Sequence, residues 1–147
     1  MKYSEGKIER TFVIRLEDGD KLPDTIEKFA QTHKINSAIV FYIGGAKKNS
    51  KIVVGPKNNE AIIPIPMVTL LKGVSESQGL GTIFLNEKKI PKLHMHASFG
   101  RKTKTITGCV RKGVDIWLVG EIVILEILNT SAIRKKDLTS GFELLDF

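Results

Sequence analysis

Ile116-Trp117-Leu118-Val119-Gly120-Glu121-Ile122-Val123-Ile124-Leu125-Glu126-Ile127-Leu128 is the stretch on which the fold turns. As a helix it would give the chain a second major helix. As a strand it becomes the long spine of a sheet. The Ile/Val content and the lack of a capping residue favour the strand, although thirteen residues is long for one. Trp117, Val119, Glu121, Val123 and Leu125 then share one face, with Ile116, Leu118, Ile122, Ile124 and Leu128 on or near the other. Glu121 is the odd member, an acid inside an apolar run. It reads either as an outward-facing edge carboxylate or as a site residue.

Outward from this stretch, most of the chain reads as strand. Ile8 to Leu16 alternates, with Phe12, Ile14 and Leu16 committed to the core, and Asp18-Gly19-Asp20 stops it. Ser37 to Ile43 is nearly continuously apolar, which predicts a central strand covered on both faces, broken at Gly44-Gly45 by a bulge or turn. Lys51 to Val54 is a short strand ended by Gly55-Pro56. Pro64 and Pro66 place the segment around them at a sheet edge, with pairing resumed from Met67 to Leu71. Gly79 to Asn86 and Thr105 to Val110 are further strands. One helix is expected, with Asp20 as N-cap, Pro23 in its first turn, and Leu22, Ile26, Phe29 and Ala30 as its apolar stripe. It ends near His33-Lys34, where His33 belongs to the terminus and not to a ligand set. The expectation is an α+β domain with a large, mostly antiparallel sheet and one main helix.

The chemistry concentrates in Leu93-His94-Met95-His96-Ala97-Ser98-Phe99 and Thr107-Gly108-Cys109. In an extended segment His94 and His96 share a face. A turn and a return strand would bring Cys109, thirteen residues past His96, near them. His-His-Cys is a zinc-type donor set. The competing reading has the histidines hydrogen-bonded or exposed and Cys109 packed as a small core residue.

At 147 residues with 41% hydrophobic content, the chain is expected to form one domain, 1–147. It has no apolar run near the ~20 residues of a membrane span. Its polar start does not read as a signal peptide, and the single cysteine suits a reducing compartment. A cytoplasmic protein without membrane contact is expected. Twenty-three Lys+Arg against 16 Asp+Glu give a net +7, which favours association with polyanions such as DNA. The basic clusters Lys47-Lys48, Lys88-Lys89, Arg101-Lys102, Arg111-Lys112 and Arg134-Lys135-Lys136 sit mostly at expected turns, where a solvated basic loop is the ordinary explanation.

Taken together, Phe12-Val13-Ile14-Arg15-Leu16, Asp18-Gly19-Asp20, Gly44-Gly45-Ala46, Leu93-His94-Met95-His96-Ala97 and Gly141-Phe142-Glu143-Leu144-Leu145 resemble the plants-and-prokaryotes-conserved (PPC) domain family. This is a domain of unknown function often labelled a predicted DNA-binding protein. The resemblance covers nearly the whole chain. Its most specific element is the His-x-His strand followed by a Gly-Gly-His turn and a later Glu. Here Thr107-Gly108-Cys109 stands at the Gly-Gly-His, which puts Glu121 at the later Glu. The resemblance implies a trimer with a site at or near the subunit boundary, and a His94/His96/Cys109 metal site in which thiolate replaces imidazole, a change zinc accepts. Three protein ligands leave a fourth position for water or an exogenous group.

No Arg-Gly-Arg-Pro minor-groove core, helix-turn-helix or aromatic-basic RNA-binding strand is present, so DNA contact would have to come from a basic surface without sequence readout of its own. Two functions follow. One is a non-enzymatic, trimeric, metal-containing module with a DNA-associated or regulatory role. The other is a small-molecule-binding protein or zinc-dependent enzyme, with Glu121 as a candidate general base.

Overall fold

The computed structural model describes residues 1–147. The elements are β1 (Lys7–Glu17), β2 (Lys21–Leu22), α1 (Asp24–Thr32), β3 (Ser37–Ala46), β4 (Lys51–Pro56), β5 (Pro66–Leu70), β6 (Ser75–Leu85), β7 (Pro91–Arg101), β8 (Lys104–Cys109), β9 (Val114–Leu128), β10 (Ile133–Lys136) and β11 (Glu143–Asp146). The main sheet runs β1-β9-β3-β6-β7-β8-β4-β5, with β2 on β9, and β10-β11 form a separate hairpin. Every strand pairing within the two sheets is antiparallel. The fold is α+β with one helix, as the residue pattern predicts.

The 116–128 stretch is indeed strand, and it extends back to Val114 to make β9, flanked by β1 and β3. A register shift between Gly44 and Gly45 skips two residues of β9, so Gly44 pairs with Gly120 and Gly45 with Trp117. The two glycines therefore mark a bulge, and β3 continues through them to Ala46. A Cβ on Gly45 would lie 2.6 Å from the Trp117 carbonyl oxygen, which is why only glycine fits there.

The inner face of the curved sheet carries the core. Leu16, Val40, Tyr42, Ile83, Met95, Ile122 and Ile124 are among 21 clustered buried residues, and Ile26 and Ala30 of α1 close over them. Each of the large aliphatic side chains among them contributes about 1.5–3 kcal/mol by leaving water.

The helix begins later than its expected cap. Asp20 accepts the Glu17 amide within the β1–β2 turn, Lys21-Leu22 pair with β9, and Pro23 precedes the first helical residue without a side-chain cap. The aspartate is engaged in the turn and is not free to cap. His33 closes the helix, its ring 4.1 Å from that of Phe29.

The outer face also departs from expectation. β3 is central but not covered on both sides, since Phe41 and Ile43 are 45% and 54% exposed. Phe41 belongs to a row of direct cross-strand partners, Val13–Val123–Phe41–Leu80–His96–Cys109, that crosses the sheet from β1 to β8. No helix is long and apolar enough to cross a membrane.

Candidate metal centre

β7 alternates strictly. Leu93, Met95, Ala97 and Phe99 are buried, while His94 and His96 project from the outer face. β8 returns beside it with His96 directly opposite Cys109. Their side chains therefore lie on one face, and Cys109 is also backbone partner to Val53 of β4. His94, His96 and Cys109 each offer a donor, and the three donor atoms lie within 4.8 Å of one another. The structure thus brings together the three residues singled out by spacing, at the open end of a hairpin of six cross-strand pairs.

The imidazole Nε2 atoms are 3.2 Å apart, and the rings meet edge to face at 81°. Two nitrogens bound tetrahedrally to one zinc at ~2.0–2.1 Å stand about 3.3 Å apart, so the pair is already at ligand spacing. Burial, aided by the positive charges of Arg134, His96 and Arg111, holds the His94 pKa below its ordinary 6.5. A neutral imidazole is the form that binds metal. Cys109 is 4% exposed and has no disulfide partner, which fits a soft donor closing the inner side of such a centre.

The site forms where β8 ends. β8 pairs with β7 only from His96 onward, which leaves the β7 edge before it open. The Leu93 amide there donates to Glu27 of α1, and Lys92 is ion-paired with the same carboxylate at 2.9 Å, fixing the helix against the histidine strand. A cavity of about 430 Å³ opens alongside, lined on one side by His94, Arg111 and Arg134.

Arg134 was hidden within the basic run 134–136 and is not a solvated loop cation. It is 6% exposed, donates to the Thr82 hydroxyl at 3.0 Å, and lies over the Phe84 ring. Arg111 stacks on Phe142, which also lines the cavity.

Glu121 does not join the cluster within one chain. It lies exposed on β9, with Arg15 and Ile43 as neighbours across the sheet, and β3 and β6 separate it from β7. Three strand spacings amount to roughly 14 Å. His33 is likewise remote, at the end of α1.

An antiparallel α+β domain with paired histidines and a facing cysteine on its outer sheet surface defines the class. The Plants and Prokaryotes Conserved (PCC) domain model matches residues 3–128, and the chain belongs to that family. The fold is similar to that of a plant- and prokaryote-conserved (PPC) protein from Pyrococcus horikoshii, at TM-score 0.85 and 26% identity, covering 100% of this chain and 98% of that one. It is also similar to a metal-containing protein from Archaeoglobus fulgidus, at TM-score 0.85 and 20% identity over the whole of both chains. A protein from Bacteroides thetaiotaomicron described as a candidate DNA-binding protein aligns at TM-score 0.75 and 16% identity, over 97% of each chain. No curated protein matches the chain.

Proposed function

We propose that this protein is a metal-containing PCC-domain module that works as a homotrimer in the cytoplasm, all 147 residues forming one domain, with a DNA-associated or regulatory role. The observation that carries this reading is the convergence of the His94, His96 and Cys109 donors within 4.8 Å. Zinc fits the donor set best, and when bound it would supply a Lewis-acid centre with a position left for an exogenous group. The Archaeoglobus relative, described as metal-containing, supports the metal.

The trimer is supported by the outer-face row, in which Val13, Phe41 and Leu80 are 82%, 45% and 58% exposed. Apolar residues in a continuous row of this kind call for cover. The row ends at His96 and Cys109, so a second copy seated on it would border the metal centre. A role for Glu121 as general base then requires its delivery from a neighbouring copy. DNA association is supported by the net charge of +7 and by the description of the Bacteroides relative. Elemental analysis of untagged protein, with its mass in solution, is the decisive measurement. Absence of stoichiometric metal, and failure of added zinc to bind, would remove the reading.

The second reading, a small-molecule-binding protein or zinc-dependent enzyme, is favoured by the 430 Å³ cavity beside His94. Such a volume lies in the range of ligand sites.

A further inference from the structure

The second large cavity, about 540 Å³, lies away from the histidines, between the β7–β8 turn and the loop that joins β5 to β6. Its lining is chemically one-sided. Lys72, Arg101, Lys102 and Lys104 surround it, no carboxylate lines it, and none of the four is in an ion pair. By contrast, the cavity beside His94 balances Lys92, Arg111 and Arg134 against Asp24, Glu27 and Glu143. Like charges held together without partners repel, and a bound anion would relieve that repulsion. The floor is different in kind. Leu71 and Phe99 are each 2% exposed and Ile106 is 37% exposed, so apolar carbon lies beneath the cationic rim.

Arg101 is seated deliberately. A Cβ on Gly73 would lie 2.2 Å from the Arg101 Nε and 2.7 Å from its Cζ. The guanidinium thus occupies the space that any side chain at 73 would take, which keeps its charge at the rim. Lys102 adopts φ 55° in the two-residue turn that joins Arg101 to Lys104, and the turn gathers three cations at one end of the hairpin.

We propose that this cavity binds a small amphipathic organic anion, its phosphate or carboxylate head on Arg101, Lys102, Lys104 and Lys72 and its apolar body against Ile106, Phe99 and Leu71. The volume suits a ligand of that size. The site is independent of the metal centre.

The test is a fluorescence titration of the full chain with 8-anilino-1-naphthalenesulfonate, an amphipathic anion. One saturable site per chain is expected, weakened about tenfold or more in Arg101→Gln/Lys104→Gln, since each charge-assisted contact carries roughly that factor. Gly73→Ala should displace Arg101 and weaken binding while leaving the melting temperature nearly unchanged, because only a flexible side-chain end must move. Lys135→Gln/Lys136→Gln, outside the cavity, should bind as wild type. Displacement of the probe by octanoate or by adenosine monophosphate supports the proposal and names the head group. Probe binding indifferent to the Arg101/Lys104 change overturns it. So does displacement by duplex DNA alone, which would make these cations a nucleic-acid phosphate surface.

Discussion

His96 and Cys109 are direct cross-strand partners, and His94, two residues before His96, completes a cluster whose donors all lie within 4.8 Å. An antiparallel pair holds such side chains on one face without help from loops, so the donor geometry depends on the sheet itself. Removing a single donor should therefore leave the fold intact and act on metal. Cys109→Ala and His94→Ala are expected to weaken zinc affinity by at least about tenfold, the lower end of what even outer partners of a metal site cost. His33→Ala should not change it. Competition with a chromophoric chelator measures all three.

The His94 pKa lies below 6.5 because burial and the nearby cations disfavour the imidazolium. In metal-free protein the unfolded chain then binds the proton more tightly than the folded one, so the sign is fixed. Stability is fully present above the unfolded value. It falls as pH drops through about 6.5 toward the folded pKa and levels off below it. Urea denaturation midpoints from pH 8 to pH 5 should show this fall, and His94→Gln should flatten it. Equal slopes for the two proteins would refute the assignment.

Leu80 is 58% exposed on the outer face, between Phe41 and His96. If the proposed trimer is built on this face, Leu80→Glu should fold normally in the single chain but remain monomeric. Light scattering is expected to give three times 16.3 kDa for the wild type and 16.3 kDa for the variant. A variant that keeps the trimeric mass would place the interface elsewhere.

Gly45→Ala forces a methyl against the Trp117 carbonyl oxygen at 2.6 Å and its ring at 2.9 Å. Backbone cannot step aside cheaply, so a loss of about 1–3 kcal/mol is expected, comparable to overpacking a core. Thermal unfolding should fall by about 2–4 °C for each kcal/mol.

If the net charge of +7 supports DNA association, affinity for duplex DNA must drop steeply between low and physiological salt, since binding releases counterions. Affinity independent of salt, or no binding at low salt, would remove the nucleic-acid role.

The chain itself determined the elements. β-branched runs and alternation identified β1, β3, β7 and β9, and the stripe Ile26, Phe29 and Ala30 identified the single helix, because local periodicity is written into neighbouring residues. The spacing of His94, His96 and Cys109 also made their meeting legible, since a hairpin links them over a short distance. Asp20 does not cap because Lys21 and Leu22 pair with β9, which moves the first helical residue to Asp24 and leaves the Glu17 amide as the partner of the carboxylate. Tertiary structure alone decided that Phe41 and Ile43 face outward, that Arg134 is buried beside the centre, and that Glu121 lies three strands from it. Strand order places residues distant in sequence side by side, and no local pattern records that order.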